Sequence, residues 1–164
     1  MAELTNLEAK LGEVIGLAMA AQASIDRISK LANGEEKSLV KQMKTMRAEA
    51  VDAEKRGIQL AGTFNGKKSK IMSEARTVKK KGGEMLKTYL DRDADLLDGM
   101  EFMTMAEAGE VCHWAVLAQL NKKAKHPGVR ELVAKQLPIQ KRHLRDVSAA
   151  SVSLAAKEDP NAEA

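Results

Sequence analysis

The feature that most constrains this chain is a run of apolar residues spaced alternately three and four apart. It comprises Leu4, Leu7, Leu11, Val14, Ala18, Ala21, Ile25, Ile28 and Ala32. That spacing places every one of these side chains on a single stripe of a helix and predicts shallow-angle packing in a bundle. Thr5-Asn-Leu-Glu8 opens the stripe with capping-box spacing, in which hydroxyl and carboxylate satisfy free backbone donors at a helix start. Asn33-Gly34 closes it, since both residues tolerate the left-handed conformation of a helix C-terminus. A second stripe, Leu39, Met43, Met46, Ala50, Ala53, Gly57 and Leu60, predicts a helix from about Glu35 to Ala61. The short loop between the two makes them an antiparallel αα-hairpin.

The pattern then changes. Residues 62–83 are rich in Lys, Ser and Gly and include Asn65-Gly66 and Gly82-Gly83. They read as a crossover holding a short amphipathic helix around Ser69 to Lys81. From Glu84 to about Ala124 the helical pattern returns, with Leu96, Met100, Met103, Glu107, Val111, Trp114 and Leu117 on one side. Pro127 suits the first position of the next helix. That helix runs to about Lys157 on Val129, Val133, Leu137, Gln140, Leu144, Val147 and Leu154. Pro138 inside it predicts a kink, or a start one turn later. The expectation is one all-α domain over residues 1–157: a four-helix bundle of two hairpins with a long crossover, followed by a disordered tail over 158–164.

Composition narrows the function classes. With 44% hydrophobic and 30% charged residues among 164, the chain matches neither a disordered nor a membrane-spanning sequence. No apolar run approaches the roughly 18 residues of a transmembrane helix, and the Met1-Ala-Glu-Leu-Thr start lacks a signal-peptide pattern. The single cysteine, Cys112, excludes an internal disulfide. Together these predict a cytoplasmic protein without membrane contact. The net charge of +4 concentrates in Lys67, Lys68, Lys70, Arg76, Lys79, Lys80 and Lys81, opposed only by Glu74. The run contains no aromatic on which a base could stack, which favours a solvated connector over a nucleic-acid surface. No nucleophile–base pair, phosphate loop or paired-carboxylate acid–base set can be read, so the chain leans away from an enzyme.

The two hairpins resemble each other. Residues 13–22, Glu-Val-Ile-Gly-Leu-Ala-Met-Ala-Ala-Gln, lie over residues 110–119, Glu-Val-Cys-His-Trp-Ala-Val-Leu-Ala-Gln, with five of ten identical. Lys41-Gln42-Met43 lies over Lys135-Gln136-Leu137, and Asp52 over Asp146. On these helices the sequence resembles the ferritin-like superfamily, particularly its small stress-associated bacterial members. The likeness covers about Leu4 to Ala61 and Leu96 to Val147, and is closest from Glu110-Val-Cys-His-Trp to His143-Leu-Arg-Asp-Val. The resemblance implies a di-metal site with one Glu from each of the first and third helices and Glu-x-x-His from each of the second and fourth. Carried over by position, the third helix offers Glu107 or Glu110 and the fourth offers His143. The fourth reads Gln140-Lys-Arg-His143, however, and the second reads Met46-Arg-Ala-Glu49. Both bridging glutamates are missing, so a competent di-iron oxidase is not expected. Glu107, Glu110, His143 and Glu49 remain as candidate ligands for one divalent Fe, Mn or Zn ion.

Each candidate has a structural reading beside the chemical one. Glu107 falls in an apolar stripe, where an unpaired carboxylate costs several kcal/mol, and Gln140 interrupts the facing stripe; the two are expected to bond across the bundle. His113 reads as a flank residue beside Trp114. His143 reads as a rim imidazole with a charged partner, Asp146 standing three residues on. The nine methionines suit core filling. Three functions follow: a ferritin-like bundle without the standard centre, in a binding or stress-related structural role; a metal-binding relative with a reduced site; or a helical self-associating adaptor. Seams of this kind in a chain with few aromatics predict a homodimer.

Overall fold

A computed structural model describes residues 3–162, and these are arranged as five α-helices. They are α1 (Asn6–Leu31), α2 (Lys37–Ala61), α3 (Lys68–Tyr89), α4 (Leu96–Ala124) and α5 (Pro127–Ala155). No strand occurs among the described residues, and no helix there is long and apolar enough to cross a membrane. Helix α1 packs against α2, α3 and α4, while α5 packs against α4 and α2.

Local signals account for the helix ends. The Thr5–Glu8 capping box forms in both directions, and a second box joins Asp95 to Asp98 at the start of α4. Asn33 and Gly34 take positive φ, 47° and 85°, and end the first hairpin helix. Pro127 opens α5, where the ring of His126 accepts from the Val129 amide and stacks on Phe64.

Two expectations need correction. The segment 62–83 is not a crossover with one short helix: α3 spans 22 residues and continues through Gly82-Gly83 to Tyr89. Two interior glycines cost about 1 kcal/mol each in helix propensity. Burial of Ile71, Ala75 and Leu86 offsets this, at about 1.5–3 kcal/mol for each large side chain. Close approach to α1 is required for that packing. A Cβ on Gly12 would stand 2.7 Å from the Ile71 carbonyl oxygen, and one on Gly16 would stand 2.4 Å from that of Ala75. The basic residues Lys68, Arg76, Lys79, Lys80 and Lys81 all point to solvent on the opposite side of α3.

The second correction is the start of the third bundle helix. Helicity does not run unbroken from Glu84; it stops at Leu90 and resumes at Leu96. The Asp91 side chain accepts from the Asp93 amide and that of Asp95 from the Asp98 amide, and the Arg27 guanidinium binds the carbonyl oxygens of Leu90 and Asp91. Helix α5 begins at Pro127, as expected for a proline in the first position, and includes Pro138 without a later start. The carbonyl that loses its donor there belongs to Ala134, and both residues are exposed, so water can serve it. Residues 158–162 of the tail form exposed turns; its last two residues lie outside the described ones.

The core divides into two apolar clusters. Leu11, Ile15, Trp114, Leu117 and Val129 belong to one, and Ile25, Met43, Met100, Met103 and Val147 to the other. Between them in sequence, α1 and α2 place the small residues Ala21 and Ala50, whereas α4 and α5 place Glu107, Glu110, Gln140 and His143. The alanines leave room for a polar layer between the two clusters.

Candidate functional site

That layer brings together the residues singled out in the sequence. Glu107 is 1% exposed, Glu110 3%, Gln140 2% and His143 2%. Glu107 and Glu110 stand three apart on α4, neighbours on one helix face. Gln140 and His143 have the same relation on α5, and Glu49 reaches in from α2.

The partners differ from those predicted. Gln140 does not bond Glu107: its Nε2 donates to Glu110 Oε2 at 2.7 Å. Glu107 instead faces His143, its Oε2 standing 3.5 Å from Nδ1, an ion-pair distance without the alignment of a hydrogen bond. On the other edge of the ring, Nε2 lies 2.6 Å from Glu49 Oε2. The Arg142 guanidinium donates to the second oxygen of Glu49. His143 is therefore a buried member of a carboxylate–imidazole–carboxylate row, not a rim residue. Asp146, its presumed partner, pairs with Arg145 at 2.8 Å.

Electrostatics separate the acids. Burial, and then the neighbouring Glu107 carboxylate, push Glu110 well above the usual carboxyl range, against the lowering effect of the Gln140 bond. For Glu49, burial also opposes ionisation, but the hydrogen bonds from His143 and Arg142 outweigh it and hold the group below its ordinary value. Burial disfavours charge on His143, yet Glu107 and Glu49 together raise it above the ordinary imidazole value. The layer thus opposes ionisation of Glu110 and favours that of Glu49, beside an imidazole that retains its proton more firmly than usual.

The ligands of a di-metal centre do not fit this arrangement. Met46 is buried where the ferritin-like resemblance would require one bridging glutamate, and Gln140 engages Glu110 where it would require the other. A thioether and a neutral amide are poor donors to a hard ferrous or ferric ion. Among the described residues, no group of three or more His, Cys, Asp or Glu side chains could hold a metal ion. Geometry explains why. Glu107 and Glu49 approach opposite nitrogens of one imidazole, so they cannot share an ion bound to either.

The remaining candidates separate. His113 stands 2.9 Å from Glu13 Oε2 and 3.3 Å from the Lys10 ammonium, on the flank of α4 as its position suggests. Cys112 is exposed and free. Sequence reasoning overlooked Gln136, fully buried with both amide atoms lacking a hydrogen-bond partner, and Arg142 as the second donor to Glu49. The signal for Gln136 is its place four residues before Gln140, on the same face of α5.

A cavity of about 200 Å³ opens between α1, α3 and α4, and both Glu107 and Glu110 line it. Apolar groups form most of the remaining wall, among them Leu17, Ala20, Phe102 and Met103. Met85 and Met105 also line it and are partly exposed. Comparison with protein-family models, with curated proteins and with solved structures finds no match for this chain.

Proposed function

We propose that this chain is a ferritin-like helical bundle, with α1, α2, α4 and α5 as its four bundle helices, that acts by binding and not as a di-iron oxidase. Its crossover has become the long helix α3. The 2.7 Å bond from Gln140 to Glu110 carries this reading, because it places a neutral amide where a bridging carboxylate would be required. Ferrous ion added aerobically to the purified protein, with oxygen uptake and the absorbance of an oxo-bridged ferric pair followed together, tests it. Uptake no faster than buffer is the expected result. Rapid uptake with two irons per chain would overturn the reading, and one firmly held divalent ion lost on His143→Ala would favour a reduced metal site.

A second reading, self-association in the cytoplasm, draws on the outward face of α4. Between Glu101 and Lys122 its exposed residues carry no charge, and they include Met105, Ala108, Gly109, Cys112, Ala115 and Val116. Such a face suits helix-to-helix contact in a symmetric dimer. Sedimentation velocity should show a dimer that Ala115→Glu dissociates; a wild-type monomer at every concentration would remove this reading.

A further inference from the structure

We infer that the cavity between α1, α3 and α4 is a binding site for a small apolar primary amine, held as its ammonium ion by Glu107 and Glu110. This deepens the binding role proposed above by naming what is bound. The first ground is shape and lining. The volume of about 200 Å³ exceeds the roughly 150 Å³ of a cavity known to admit benzene, so a straight chain of about six carbons is a suitable size. Leu17, Ala20, Phe102 and Met103 present hydrocarbon to that chain, and thioethers at Met85 and Met105 adapt to different shapes.

The second ground is an unmet polar need. Glu107 lines the cavity, and among the described residues its carboxylate has no hydrogen bond: Oε2 has only the 3.5 Å approach of the His143 ring. A buried acceptor in that state costs about 1–3 kcal/mol, more when charged, and an ammonium supplies up to three donors. Glu110, one turn further along the wall, offers a second carboxyl to the same head group. A cation between the two carboxyls favours ionisation of Glu110, which burial and the Glu107 charge otherwise oppose. The charge pattern also rejects alternatives. No Lys or Arg lines the cavity, and the one imidazole in its wall, His113, is engaged with Glu13 at 2.9 Å, so an anionic head would face the two acids without a free cation. Lys10, beside the lining residue His113, is engaged with Glu13. Ser24, also in the wall, gives its hydroxyl proton to the Ala20 carbonyl and keeps its lone pairs for a donor.

The test is calorimetric titration of the full chain with hexylamine, 1-hexanol and hexanoate at neutral pH, together with methyl NMR of Met85 and Met105. Hexylammonium should bind once per chain, at least about tenfold more tightly than hexanol, and should shift both methyls; hexanoate should not bind. In Glu107→Gln the preference for amine over alcohol should fall to near unity while hexanol binding is kept. The ligand series on the wild type decides the matter even if that variant does not fold. Hexanol binding as tightly as the amine, an unchanged preference in Glu107→Gln, or no saturable amine binding below about 10 mM would overturn the assignment. Oxygen uptake with iron reports separately on the non-oxidase reading, so failure of either is told apart from failure of the other.

Discussion

Replacing Glu110 by glutamine removes the ionisation that this fold opposes most directly. Its folded value lies well above the ordinary 4.5 because of burial and the adjacent Glu107. The native chain consequently holds a proton at pH values where the unfolded chain has released it. Between 4.5 and the folded value, the native state binds one proton more than the unfolded state, so stability falls as pH rises. The slope approaches about 1.4 kcal/mol per pH unit inside that window. Below 4.5 both states are protonated and the cost vanishes. Glutamine has nearly the same shape, and its side-chain oxygen still accepts the Gln140 bond. The variant should therefore lose the slope and keep the packing. With an m-value of about 2 kcal/mol/M in urea, the midpoint difference between wild type and variant should grow by about 0.7 M per pH unit in that window. Urea unfolding followed by far-UV circular dichroism from about pH 5 to about pH 8, both proteins in parallel, measures this. A midpoint difference that stays constant across the range would refute the argument, since Glu110 would then titrate alike folded and unfolded.

Other perturbations test the packing and the imidazole row. Gly16→Ala should destabilise by about 1–3 kcal/mol in urea unfolding, because its Cβ meets the Ala75 carbonyl at 2.4 Å. Gly109→Ala, with nothing within 4 Å of the new Cβ, should instead stabilise by about 0.5–1 kcal/mol. NMR titration of the His143 ring should give a midpoint above 6.5, lowered in Glu49→Gln; the stability it contributes is complete below 6.5 and disappears as pH rises through that midpoint. Glu49, held below 4.5, contributes stability above 4.5 that is lost as pH falls through its folded value, a loss that acid unfolding of Glu49→Gln should lack. Asp95→Ala removes the capping box of α4 and should cost about 1 kcal/mol in thermal unfolding.

Helix existence was legible where the apolar stripe was regular, as in α1, where a capping box agrees with it, and in α2, which has no side-chain cap. Legibility failed where an apolar residue and a polar one competed for an inward place. In α4 the periodicity admits Val111 or Glu110, and in α5 it admits Leu137 or Gln136 and Leu144 or His143. Reasoning by hydrophobicity chose the apolar member each time; the fold buries Glu110, Gln136 and His143. For Glu110 and His143 the reason is visible only in three dimensions, because Gln140 and Glu49 wait across the bundle with matching groups. No such partner accounts for Gln136. Helix α3 escaped for a different reason. Glycines and lysines mark a loop by composition, and only the glycine-lined side of α1 shows that Ile71 and Ala75 have a surface to cover.

The seating of α3 has a consequence for how the interior is reached. This helix rests chiefly on α1, whereas α1 is held from three sides. Because the packing of α3 falls almost entirely on that one neighbour, its release disturbs a single interface and leaves the contacts among α1, α2, α4 and α5 in place. It also supplies Gly82 and Met85 to the wall around Glu107 and Glu110. Partial release of α3 would widen access to the buried carboxylates while the polar layer stays closed, making this helix a door on a frame that need not unfold to admit a guest.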